Sequence, residues 1–470
     1  MRNSVVAALA LALLAGCATA PEQVVLTTSQ SAVQTRIGDD ELGGWSLNPA
    51  LDPDELQAPV PAGERRRVCF IAESDEACFD VGIGESRDFV IMRDGVAHNT
   101  RITGILDIPA ARFSQAYQNE HRGRTVVLVP EVYELVNIAI ALTDFAAENQ
   151  GLVVTDTEYH ARVMERFASV RAHPFVQALD AEMRANDFVY FRHKMNAYAF
   201  DFDGSGAIVR SAVYDRTGFR GDRENTLLPH LALMQSFADA SNFREFYTAE
   251  QPFYESQIAY LRDNADTAGI TAWLQGNFPG VRAYDGVKII FSPLVGGNQS
   301  LTTFDNDGYR ELQPHVNFPY YSTEGLSPEA NAIARANILF TEMNHGFINA
   351  PAEANAGAIE AAIGERAFWA DDTKAARTYG GDGSLFNEYM NWGLVSLYHY
   401  DRMNEADRAI SRAQVEHMMT EGRGFRQFAP FNAFLVDAYA NRQPGQTLAD
   451  LYPAIIAWFA EHEASAGQQR

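Results

Sequence analysis

A chain of 470 residues with 61 acidic against 37 basic side chains carries a formal charge of −24. That charge excludes the clustered basic surface that nucleic-acid phosphates require, and it argues against electrostatic attachment to anionic lipid. The apolar fraction of 47% and charged fraction of 21% are those of a globular protein with a substantial core, and the length allows about two to three domains.

The first residues read as a targeting segment. Arg2 gives a basic start, Val5 to Leu14 a short apolar run, and Leu14-Ala15-Gly16-Cys17 a close that resembles the lipobox of bacterial lipoproteins. The run is too short to cross a bilayer as a helix. This predicts a signal peptide over 1–16 and lipid on Cys17; the alternative is an unlipidated secretory peptide cut at Ala18-Thr19-Ala20. Ala18, rather than Asp, after the cysteine points by analogy with enteric sorting to the outer membrane. The expected location is therefore the bacterial cell envelope, facing the periplasm, with the lipid anchor as the membrane contact. Residues 17–63 are polar, with little apolar periodicity, and read as a tether.

Export leaves Cys69 and Cys78 as an even pair in an oxidising compartment, and a hairpin disulfide is expected. Around it, residues 64–115 read as a small β-rich segment. Val68–Ile71, Cys78–Val81 and Phe89–Met92 are strand-like, and Asp94-Gly95 is a turn signal. From Pro130 the pattern turns helical, first through about Glu148, then over about 156–170, 174–198, 228–240 and 250–274. Asp201-Phe202-Asp203-Gly204-Ser205-Gly206 matches the opening of a calcium loop. Its twelfth position is Ala212 instead of a bidentate glutamate, so it reads as a tight polar turn. Val287–Phe291 predicts a strand, with another near His315–Phe318, and Ser327-Pro328 start the helix that carries residues 341–345. Helices at about 352–364, 385–401, 405–420, 429–441 and 447–462 complete the chain.

Thr341-Glu342-Met343-Asn344-His345 carries the most chemistry. In H-E-x-x-H, two histidines one turn apart bind Zn²⁺ and the glutamate activates the metal-bound water. Glu342 and His345 stand at the base and the second ligand, while Thr341 replaces the first histidine. Asn349, a turn beyond His345, orients the imidazole or caps the helix. Glu388, at the start of a later helix, supplies the carboxylate of a His₂Glu set. His399 lies eleven residues further on, about 16 Å along a continuous helix and too far to share a metal with Glu388. His315 is the better substitute for the missing ligand. Alternatively Glu342 itself ligates beside His345 and Glu388, a carboxylate-rich set suited to iron or manganese. Motifs for nucleophilic serine or phosphate-loop chemistry are absent from the sequence.

Val129-Pro130-Glu131 with Glu134-Leu135, Val170 to Pro174, Phe243 to Tyr247 leading to Phe253-Tyr254, Phe340 to Asn349, Asn387-Glu388-Tyr389 and Leu448 to Pro453 form an ordered series. It resembles a bacterial domain-of-unknown-function family of exported, zincin-like metallopeptidases, over residues 125–462. The family's H-E-x-x-H-x-x-x-N is matched by Glu342, His345 and Asn349. The chain departs from the pattern at Thr341 and at Trp392, where a basic residue is expected four past the glutamate. The resemblance implies an α+β fold: a helix-dominated zincin-like domain over 125–465 behind the small β-rich segment. It further implies zinc held by His345, Glu388 and a substitute ligand, a peptide or protein substrate, and Glu342 as the base. The alternative is a catalytically inactive zincin-like protein that binds peptide or envelope partners.

Overall fold

The computed structural model describes residues 24–29, 32–38, 40–46, 52–73, 75–186, 189–217, 224–297 and 299–467. The signal peptide expected over 1–16 and the lipidation expected on Cys17 lie outside them. The chain is α+β and forms two compact units, Met1–Ile108 and Pro109–Arg470.

Among its described residues the first unit has eight strands: β1 (Val25–Thr28), β2 (Ala32–Ile37), β3 (Asp40–Ser46), β4 (Asp54–Val60), β5 (Arg65–Ile71), β6 (Glu76–Gly82), β7 (Ser86–Arg93) and β8 (Val96–Leu106). They form two four-stranded sheets, in the orders β1-β7-β8-β4 and β3-β2-β5-β6. Alternate side chains from both sheets, among them Leu26, Val33, Val60, Phe70, Phe89 and Ile102, share one core. Four of these strands fall inside 17–63, so the expected tether is corrected: its sparse apolar residues alternate, and strand pairing supplies the rest. Cys69 and Cys78 face each other across the β5–β6 hairpin and are joined by a disulfide. Asp94 and Gly95 adopt φ of 51° and 79°, the left-handed pair a two-residue hairpin turn between β7 and β8 requires.

The second unit packs helices around a four-stranded sheet ordered β13-β14-β12-β9. Its strands are β9 (Thr125–Leu128), β12 (Gly286–Phe291), β13 (Ser300–Asn306) and β14 (Tyr309–Val316); a separate hairpin pairs β10 (Phe200–Phe202) with β11 (Ile208–Arg210). Strands β9, β12 and β14 are parallel, while β13 runs antiparallel along one edge. The Asp201–Gly206 stretch runs from the end of β10 into the β10–β11 turn. There Asp203 Oδ1 accepts from Ser205 N, Ser205 Oγ and Ala207 N at 2.7–2.9 Å, which is the tight polar turn expected.

Helix boundaries depart from the sequence reading at two informative places. The span from Pro130 to Glu148 breaks into Glu131–Ala141 and Asp144–Glu148, because Thr143 caps a new start by accepting from Ala146 N. The helix opening at Pro328 ends at Arg335, and a separate helix, Asn337–Ala354, carries the motif. This motif helix is buried nearly all round, Leu339, Phe340, Met343, Phe347 and Ile348 forming its apolar face. It packs on β14 and β13 and against a second helix, Asp382–Arg402. Gly346 permits that closeness: a Cβ there would lie 2.7 Å from both Leu312 Cδ1 and Tyr284 Oη.

Candidate functional site

The motif helix and the Asp382–Arg402 helix bring Glu342, His345 and Glu388 to one buried locus. Glu342 is 9% and Glu388 2% exposed, and His345 is partly buried. Asn349 lies at the exposed rim, hydrogen-bonded to His345 and accepting from Asn387 Nδ2 at 3.4 Å.

What lies between the expected ligands is protein. Asn391, one turn past Glu388, donates from Nδ2 to His345 Nε2 at 3.0 Å and to Glu388 Oε2 at 3.3 Å. The other carboxylate oxygen, Glu388 Oε1, accepts from Arg423 Nη1 at 2.6 Å and from the Trp392 indole at 3.1 Å. Arg423 also donates from Nη2 to Tyr379 Oη at 2.8 Å, and its guanidinium lies 5.4–5.7 Å from the ring centroids of Tyr379, Trp392 and Phe425. The guanidinium comes from a third element. A π-helical turn, Met418–Gly422, follows the helix Glu405–His417, and Gly424 at φ 85° turns the chain just past Arg423.

The electrostatics follow from this packing. Burial pushes Glu388 upward, but Arg423 outweighs it and, with the Asn391 hydrogen bond, holds the carboxyl below its ordinary range. Glu342 has no such partner. Burial, then the Glu388 charge, push it up to about 8, against Lys194 and Arg423. Burial lowers His345, so the imidazole is neutral and its Nε2 lone pair accepts the Asn391 amide. Two adjacent carboxyls in a low-dielectric site are thus held in opposite protonation states at neutral pH.

The remaining candidates go elsewhere. Thr341 Oγ1 donates to Ile338 O at 2.8 Å, so the residue in place of the first histidine is bonded to its own helix. His315 is completely buried on β14, and its Nε2 pairs with Gln313 Oε1 at 3.1 Å. Gln313 donates onward to Glu311 Oε1 at 3.3 Å, and Glu311 accepts from Tyr214, to which Lys288 Nζ also donates. His315 therefore ends a polar row along the sheet. Burial, and then Lys194, depress its basicity well below that of a free imidazole. His399 pairs with Ser411 and Asn337 and stays clear of the site.

These residues do not fit a zinc ion, nor the carboxylate-rich iron or manganese set. Among the described residues, Cys69, Glu76 and Cys78 are the group of three whose ligand atoms all lie within 4.8 Å of one another, and both thiols are consumed by the disulfide. Glu342, His345, Glu388 and His315 make no such group. A metal ligand needs a free lone pair directed at a shared point. Here the lone pairs of Glu388 and His345 are spent on Arg423, Trp392 and Asn391. Sequence reasoning missed Arg423, Asn391 and Lys194. The one available signal was Trp392: with the expected base gone from that position, another cation had to balance Glu388.

The chain matches no family model, no curated protein and no solved structure.

Proposed function

We propose that the protein is an exported envelope lipoprotein whose larger unit is a zincin-like scaffold without a working metal centre, acting by binding peptide or an envelope partner. The observation that carries this reading is the occupation of both Glu388 oxygens and His345 Nε2 by side-chain donors, with Arg423 at 2.6 Å. Support for the scaffold comes from the motif helix packed beneath a mixed sheet with an antiparallel edge strand. Among the described residues no further strand pairs with the outer side of β13, and an extended peptide adding there would gain main-chain hydrogen bonds. Anchoring rests on the lipobox-like Leu14–Cys17; among the described residues no helix is long and apolar enough to cross a membrane.

The test is a quenched-fluorescent peptide library offered to the mature protein with zinc, beside Glu342→Gln. The reading expects no cleavage above the protein-free blank from either. Zinc-dependent cleavage that disappears in Glu342→Gln would overturn it.

A further inference from the structure

We infer that Arg423 is the resident cation of this site, a guanidinium that pairs with Glu388 inside the protein and, by doing so, bars a metal ion from it. The inference rests on the metal-free reading above and adds a cause to it: the missing histidine alone does not keep metal out.

Three observations converge. Arg423 Nη1 lies 2.6 Å from a carboxylate that is 2% exposed, so the ion pair is desolvated on the Glu388 side. The guanidinium is fixed from several directions, by Tyr379 Oη at 2.8 Å and by the rings of Trp392 and Phe425, and its side chain is 22% exposed. Trp392 stands where a base one turn beyond the glutamate was expected. It donates its indole N–H to the same oxygen that Arg423 pairs with, at 3.1 Å. A guanidinium and a divalent cation both neutralise a buried carboxylate, but they compete for the same lone pairs, and only the guanidinium is covalently held at high effective concentration. Glu388 therefore already has a protein cation beside it, and an incoming Zn²⁺ would have to displace a paired arginine.

Restoring the imidazole without removing the arginine should therefore fail. The experiment compares zinc binding, by equilibrium dialysis with elemental analysis, for the parent protein, Thr341→His, Arg423→Met and the double variant Thr341→His/Arg423→Met. The expected result is no stoichiometric zinc in the parent or in Thr341→His, and a gain of at least about 100-fold in affinity for the double variant over Thr341→His. Equal zinc affinity of Thr341→His and the double variant, with the parent metal-free, would overturn the role of Arg423 and leave the metal-free reading standing. Stoichiometric zinc in the parent would remove that reading itself.

Arg423→Met strands a buried carboxylate and can fail to fold, so a thermal-melting cycle runs beside it with Glu388→Gln, Arg423→Met and Glu388→Gln/Arg423→Met. The expected signature is non-additivity, the double variant melting above Arg423→Met although it carries one more substitution. Additive losses, or a double variant no more foldable than Arg423→Met, would show that Arg423 does not act through Glu388.

Discussion

The two units bury different chemistry. Among the described residues of the first, the interior is apolar apart from three threonines and Asp54. The second closes over Glu134, Lys194, Lys288, Glu311, Glu342 and Glu388. A strand-paired sandwich of this kind is held by area removed from water, strand hydrogen bonds and one covalent cross-link, and most single contacts in it are replaceable. Each buried charge is different. It carries a desolvation penalty of several kcal/mol unless a partner offsets it, and it is seldom the most stable solution at its position. The second unit is therefore where side chains depend on particular partners, and the place to look for what the protein does.

Breaking the Glu388–Arg423 pair should give the largest effect. Arg423→Leu is expected to destabilise the second unit by about 3–5 kcal/mol, because it leaves a buried carboxylate without its cation. Urea unfolding monitored by tryptophan fluorescence reads this, since Trp369 and Trp392 both lie in that unit. A loss below about 1 kcal/mol would mean that the pair is effectively solvated.

In the first unit the corresponding change is loss of the cross-link. Cys69→Ser/Cys78→Ser removes a bridge of sequence separation 9 and should cost about 2–3 kcal/mol. Hydrogen exchange should show it as faster exchange in β5 and β6. Unchanged exchange in β5 and β6 would contradict it.

The smallest effect has the opposite sign. Glu342 is raised to about 8 in the folded protein, so the folded state holds a proton that the unfolded chain releases near the ordinary carboxyl range. Stability falls as pH rises across that window. Glu342→Gln cannot ionise and should escape this loss. It should match the parent near pH 4 and exceed it by roughly 2 kcal/mol at pH 6. A Gln variant less stable than the parent at pH 8 would show that Glu342 is ionised and paired.

Much of the fold was readable from local pattern. The hairpin cysteines, the Asp94-Gly95 turn, the strand at Val287–Phe291 and the helix around Glu388 follow from alternation, turn chemistry and apolar spacing. The strands inside 25–60 were not readable, because short, polar segments owe their conformation to neighbours across the sheet. Nor was β9, four residues whose place is set by parallel pairing with β12. At the site, Glu342, His345 and Asn349 are visible from helical spacing, since residues a turn apart share a face, and Glu388 from its place as the downstream carboxylate of a His₂Glu set. Arg423 is not, because it reaches Glu388 from just past a π-helical turn on another element and no spacing rule relates the two. Motif spacing shows which residues can meet on a helix, but it cannot show which third element fills the gap between them.

The central claim, that protein groups occupy the place of a metal, is tested most directly by elemental analysis of the mature, untagged protein purified without chelators and then dialysed against zinc. The account predicts well under about 0.1 zinc per chain, with iron and manganese equally low. About one zinc per chain, lost on Glu388→Gln, would contradict it and return the site to metal chemistry.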